Sequence, residues 1–359
     1  MRFVAPPATA NRKPPRPSTR RFRFGVALLT ASLALCMGAR PEGPFTVQEK
    51  WKIGGEGKWD YLTADSAAHR LYITHGTRVE VVDSASGKSI GALTGFKGLH
   101  GVALDDSGKF GYISDGHANA VVVFDRTTLE RVASIPVGTN PDGIVYEPAT
   151  KTVWAFNGGS KDVSVIDTAT RKVIATVALP GEPESPQADG TGLVFDNIED
   201  KGEILRLDAK HPQITATWPL GGLESPSGLA IDRVGHRLFA VCDGGKMAVV
   251  DYTTGKVVAT PAIGKGPDAA GYDARAKLAY SSNGDGTLSI IDAGSSSYNV
   301  LQTVSTQPGA RTMAWDDATG KVFLVAADFG PRPAPTEAEP RPRPAILPDS
   351  FTVLVVGRK

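Results

Sequence analysis

Val79-Glu80-Val81-Val82-Asp83, Val121-Val122-Val123-Phe124-Asp125 and Val163-Ser164-Val165-Ile166-Asp167 are three copies of one pattern, a short apolar run closed by aspartate. The closing aspartates continue through Asp208, Asp251 and Asp292, and the six are spaced by 42, 42, 41, 43 and 41 residues. A period near 42 suits either a four-stranded propeller blade or a helical HEAT-like repeat. Composition separates the two. Each repeat reads as four strands of about 4 to 7 residues rich in Val, Ile, Phe and Tyr. Turn signals such as Asp106-Ser107-Gly108-Lys109 and Thr254-Gly255-Lys256 break the runs. No apolar stripe of period 3.6 is long enough for a repeat helix, and 40 glycines with 26 prolines would destabilise stacked helices. The chain is therefore expected to be all-β and built of blades.

Six closing aspartates mark six blades, and residues 311–327 open a seventh. Its third strand would close near residue 334, yet the next apolar run is 351–356. Residues 331–349, with seven prolines, are read as an insertion of extended, polyproline-like backbone that carries Arg332, Arg341 and Arg343 against Glu337, Glu339 and Asp349. The last blade then lacks a fourth strand, which residues 45–53 supply. This pairing joins the two ends of the ring and leaves no open edge there. The expected architecture is a seven-bladed β-propeller closed by the N-terminal strand, in one domain over residues 39–359.

Residues 1–38 read as a secretory leader: basic and proline-rich to residue 24, apolar over 25–35, then small residues. The apolar stretch is too short to span a bilayer, so the expected location is periplasmic or secreted, with no transmembrane segment after leader removal. Thr19-Arg20-Arg21 suggests a twin-arginine signal, but Arg23 stands where an apolar residue is wanted. Leu33-Ala34-Leu35-Cys36 resembles a lipobox, although Leu35 replaces the expected small residue, so lipid anchoring through Cys36 is the less favoured reading. Cys242 would remain as a lone buried thiol. A net charge of +1 argues against a dedicated nucleic-acid surface, which needs a basic patch.

In a propeller, links from strand D to the next strand A and loops from B to C share one face, while A to B and C to D turns share the other. The second set is uniform Asp, Ser and Gly turn chemistry, and His69, His211 and His236 are read there as solvated turn residues. The first set is varied and holds His75, His100 and His117 on neighbouring blades, a candidate metal set. Around the same mouth fall Trp59, Asp60, Tyr61, Asp115, Asn157, Asn283, Arg311 and Asp328 as candidate ligand-binding residues. Asn140, Asp142, Asp196, Glu199, Asp243, Lys246 and Asp285 are placed there too. Because Asp or Asn recurs at the exit of strand B, repeated turn capping is the competing reading for that subset. His100 leads the histidines, since its link runs directly into an innermost strand.

Pro141-Asp142-Gly143-Ile144-Val145, Val163-Ser164-Val165-Ile166-Asp167-Thr168-Ala169-Thr170 and Ser225-Pro226-Ser227-Gly228-Leu229 resemble the YVTN-type repeat. Nearly the whole chain after the leader resembles YncE-like secreted propellers. The resemblance implies the fold; related propellers include lactonases, a lyase and haem-binding domains, so it leaves activity open. No Cys-x-x-Cys-His, phosphate loop, nucleophile elbow or zinc-protease helix occurs, and no cofactor is identified. The favoured expectation is an extracytoplasmic binding or scaffold propeller that holds a protein or small-molecule ligand on its loop-rich face. The alternative is a metal-dependent hydrolase, lactonase or lyase at the channel mouth, with noncovalent haem or redox-cofactor binding as a weaker third.

Overall fold

The computed structural model describes residues 1–5, 43–336 and 342–359, and its regular structure is almost wholly strand. Seven four-stranded antiparallel sheets follow one another along the chain. Six are simple meanders. The seventh runs from Met313–Asp316 through Lys321–Ala326 and Thr352–Arg358 to Phe45–Lys52, so the N-terminal strand supplies its outer edge. Phe45 pairs with Arg358 and Trp51 with Val353. Gln302 of blade 6 fastens this closure, accepting the Phe45 N–H at 2.9 Å and donating to the Phe45 carbonyl at 2.8 Å.

The continuous apolar runs follow from this stacking. An inner or middle strand is covered on both faces by neighbouring blades, so every residue of Thr152–Asn157 is buried. The outer strand of the same blade, Lys172–Ala178, is mostly exposed or half-buried. Seven apolar clusters fill the seams, one between each pair of adjacent blades. At the closing seam Trp51 stacks near Phe323, with ring centroids 5.5 Å apart.

The repeating aspartates are turn caps. The Asp83 carboxylate accepts the N–H groups of Ala85 and Ser86, Asp125 those of Thr127 and Thr128, and Asp292 that of Gly294. Hydrogen bonds from Ser86 hold Asp83 below the usual carboxylate range, and those from Thr128 and Thr127 do the same for Asp125. A second series closes the innermost strands: Asp65, Asp105, Glu147, Asp189, Asp232, Asp273 and Asp316, all buried. They cap the A to B turns, as where Asp232 accepts from Val234 and Gly235. His69 and His236 lie in these turns with φ of 53° and 55°. Lys151 and Lys277 take the same backbone conformation in other A to B turns, at φ 54° and 53°, so the conformation does not depend on histidine.

Stems of the proline-rich insertion pair with each other, Gly330 N–H to the Ala345 carbonyl and Leu347 N–H to that of Asp328, both at 2.8 Å. Asp349 ties the returning stem to the link into blade 1, accepting the Gly55 N–H at 3.1 Å. These stems lie on the D to A side. Residues 337–341, and the expected leader apart from residues 1–5, lie outside the described residues, as does Cys36. Among the described residues no helix is long and apolar enough to cross a membrane.

Candidate functional site

Each innermost strand enters from the D to A face, and its first residues are irregular. In blades 1, 2, 3, 5 and 6 the residue paired with the end of strand B (Trp59, Leu99, Pro141, Pro226, Pro267) is followed by a register shift. Such a bulge leaves the next residue outside the ladder and re-aims its side chain. That next residue stands five positions before the buried acid closing the strand. Across the seven blades it is Asp60, His100, Asp142, Glu184, Ser227, Asp268 and Arg311. One position per blade thus forms a ring at the mouth, with the repeat's spacing but without a repeated residue.

The carbonyls of several ring positions are held by the preceding blade. Ser114 Oγ donates to the Asp142 carbonyl at 2.6 Å, Asn197 Nδ2 to that of Ser227 at 2.7 Å, and Ser282 Oγ to that of Arg311. These clamps fix the backbone from which the side chains project. His100 Nδ1 lies 2.8 Å from Asp60 Oδ2 and 3.3 Å from Asp142 Oδ2. Asp268 pairs with Arg311 at 3.4 Å. The Tyr61 hydroxyl donates to the Glu184 carbonyl at 2.9 Å, so its ring reaches from blade 1 to blade 4 beneath the mouth. Tyr61 also borders a cavity of about 350 Å³ lined by inner-strand residues of blades 1 to 4, including Thr63, Val102, Ile144 and Gln187.

Crowded carboxyls set the electrostatics. Burial, reinforced by Glu199, Asp268, Asp60 and Asp142, pushes Glu184 up to about 9. Burial pushes Asp142 up to about 7 against the opposing pull of His100, and Asp268 up to about 6 against that of Arg311. Burial alone would lower His100; the bond to Asp60 and the charge of Asp142 outweigh it, and its net shift is upward. Asp196, inside strand B of blade 4 and within electrostatic reach of Asp142, is wholly buried. Its oxygens have no close hydrogen-bond donor among the described residues, and the backbone of Glu184 and Asn197 only partly offsets the burial. Burial drives that carboxyl well above its usual range.

The structure sorts the candidates read from sequence. Asp60, Tyr61, His100 and Arg311 come together at the mouth. The three histidines do not. His75 ends its strand B buried, stacked on Phe351 with ring centroids 3.9 Å apart. His117 sits in the short 3-10 turn Gly116–Ala118, exposed, with Nδ1 3.2 Å from the Lys97 carbonyl. Trp59 is also turned away, packing on Phe351 and Phe329 at 5.3 and 6.2 Å. The strand B exits are architectural ties. Asp115 accepts the N–H groups of Lys97 and Gly98, and Asn157 donates to Asp162 and Ser164. Asn283 donates to Thr287 and Ser289, while Asp328 accepts from Gln307.

Glu184, Ser227 and Asp268 were not singled out from sequence, and Asp142 was placed at the mouth only as one of many. Their signal in the sequence is a spacing: each stands five residues before the acid that closes an inner strand. Asp60, His100 and Asp142 also form the one group of His, Cys, Asp or Glu side chains, among the described residues, whose donor atoms converge as metal ligands would, within 4.8 Å of one another.

Fold and site together define a seven-bladed propeller with a carboxylate-rich channel mouth. The chain is similar to the uncharacterized protein YncE of Salmonella typhi, 30% identical over 157 residues, which is 41% of this chain and 44% of that protein. The Salmonella typhimurium YncE is 29% identical over the same shares. The alignment spans less than half the length of these curated relatives. No family model matches the chain. Among solved structures, Kuenenia stuttgartiensis hydrazine synthase superimposes with a TM-score of 0.65 at 16% identity, over 74% of this chain and 91% of that one. At that identity the likeness is one of fold alone. The propeller and the YncE similarity agree with the resemblance carried by the repeats.

Proposed function

We propose that the protein is an extracytoplasmic binding propeller that takes its ligand at the mouth ring. The observation that carries this reading is the contrast within each inner strand. Its closing position is an acid in all seven blades, whereas the ring position varies among Asp, His, Glu, Ser and Arg on an otherwise repeated backbone. The structural need at the closing position is met by Asp in six blades and by Glu147 in the other, a narrow range of chemistry beside that of the ring. Four crowded carboxyl groups, whose ionisation a nearby cation would favour, stand against one arginine and one histidine and suit a ligand that presents positive charge. The extracytoplasmic location rests on the basic, then apolar, composition of residues 1–38.

Native mass spectrometry and co-purification from a periplasmic fraction test the reading, comparing the wild-type chain with Asp268→Asn and Glu184→Gln. The expected result is a bound species captured by the wild type and weakened in both variants. Equal capture by all three proteins, or loss only on deleting residues 331–349, would move the ligand away from the mouth. The enzymatic alternative is favoured at one point only, the convergence of His100 with Asp60 and Asp142.

A further inference from the structure

We propose that Asp60, His100 and Asp142 bind one divalent transition-metal ion at the channel mouth, through one imidazole nitrogen and two carboxylate oxygens. This deepens the reading of the mouth as a ligand site and rests on it. The three residues come from the inner strands of three consecutive blades, so no local turn motif explains their meeting. His100 Nδ1 lies 2.8 Å from Asp60 Oδ2 and 3.3 Å from Asp142 Oδ2. Donors bound to a common ion at about 2.0 to 2.2 Å lie roughly 3 to 4 Å from one another, so little rearrangement is needed. Each of the three is partly accessible, with side-chain exposures of 33%, 20% and 21% for Asp60, His100 and Asp142, which leaves a route for the ion.

An imidazolium bridging two carboxylates is the bland account of the same contacts, and two further observations favour the ion. First, the outer side of the ring is built. A Cβ at Gly116 would fall 2.7 Å from His100 Nε2 and 2.5 Å from Asn140 Oδ1, so a glycine makes room for an imidazole backed by an amide. A second partner of this kind is what orients a metal-binding histidine. Second, acidic groups outnumber cations around the mouth. Asp60, Asp142, Glu184 and Asp268 share the ring with one arginine, and Arg311 is already engaged by Asp268. A doubly charged ion held by the three side chains would supply positive charge among these acidic groups.

One nitrogen among three donors selects transition ions over Mg²⁺ and Ca²⁺, which prefer all-oxygen sites. Three protein ligands also leave coordination positions open toward the mouth, where a donor group of a further ligand can bind.

The test is equilibrium dialysis of the chelator-treated full chain against Zn²⁺ or Mn²⁺, with bound metal measured by elemental analysis. One ion per chain is expected, undisturbed by an equal concentration of Ca²⁺. It should be lost in Asp60→Asn/Asp142→Asn and in His100→Gln, and retained in His75→Ala and His117→Ala. Gly116→Ala, which leaves every ligand in place, should weaken binding about tenfold or more. Circular dichroism confirms that each variant is folded; if the double variant is not, His100→Gln and Gly116→Ala decide. No bound ion, displacement by Ca²⁺, or undiminished binding in His100→Gln would overturn the site. If no metal binds but Asp268→Asn still weakens ligand capture, the metal site fails and the mouth reading stands. If metal binds as described but no ligand is captured, the reverse holds.

Discussion

The two ends of each inner strand obey different rules. At the far end seven buried acids meet one need, accepting N–H groups of the turn that follows, and the residue type hardly changes. At the mouth end a bulge recurs in five blades, and Ser114, Asn197 and Ser282 hold ring carbonyls of the next blade, yet the side chains differ in charge and size. Uniform chemistry on repeated geometry marks scaffold. Varied chemistry on repeated geometry marks the place where the scaffold is used.

The far end should be the more sensitive to mutation. Asp65 is buried against Arg126, which also donates to the Asp105 carbonyl at 3.1 Å. Asp65→Ala would strand that guanidinium, with an expected loss of about 3 to 5 kcal/mol in urea unfolding. A loss below about 1 kcal/mol would show that the caps are dispensable. Closure of the ring comes next on this scale, because Trp51 is nearly buried in the closing seam. Trp51→Ala is expected to destabilise by about 3 to 5 kcal/mol, and Gln302→Ala by about 1 kcal/mol.

Asp196 is buried inside strand B of blade 4, and its mutation should act in the opposite direction. Burial raises its folded-state pKa, so the folded protein keeps a proton that the unfolded chain releases once the pH exceeds the ordinary aspartate range. Stability is therefore fullest below that range and is progressively lost as pH rises toward the folded value. Asp196→Asn should stabilise the protein at pH 8 by about 1 to 3 kcal/mol and have little effect near pH 4. An equal effect at both pH values would contradict a buried protonated carboxyl. The smallest change is expected from Arg311→Ala, whose ion pair with Asp268 is half-exposed and should contribute less than about 1 kcal/mol to stability.

Most of the fold was legible in sequence because the signals were local and repeated. Apolar runs closed by Asp83, Asp125 and Asp167 gave strand, turn and period at once, and the interrupted count after residue 327 placed both the insertion and the closing strand. The mouth was only half legible. Asp60, Tyr61, His100 and Arg311 were found by sorting loops onto faces, but that sorting cannot tell which way a side chain turns at a bulge. His75 and Trp59 fall within a residue or two of the mouth in sequence and are drawn into the seam by Phe351. Glu184 escaped because blade 4 departs from the pattern of its neighbours, its inner strand shrinking to Gln187–Ala188. Asp196 falls into the sequence series of strand exits, although it stands inside its strand, paired with Leu205.

The most direct test of the division between scaffold and site is thermal unfolding of two sets of variants with and without Zn²⁺. The first set is His100→Gln and Asp60→Asn/Asp142→Asn at the mouth; the second is Asp232→Ala and Asp273→Ala at the far turns. The account predicts that the mouth variants melt close to the wild type but lose its Zn²⁺-dependent rise in Tm, while the turn variants melt lower and keep that rise. Mouth variants that melt as low as the turn variants, or that keep the full Zn²⁺ shift, would contradict it.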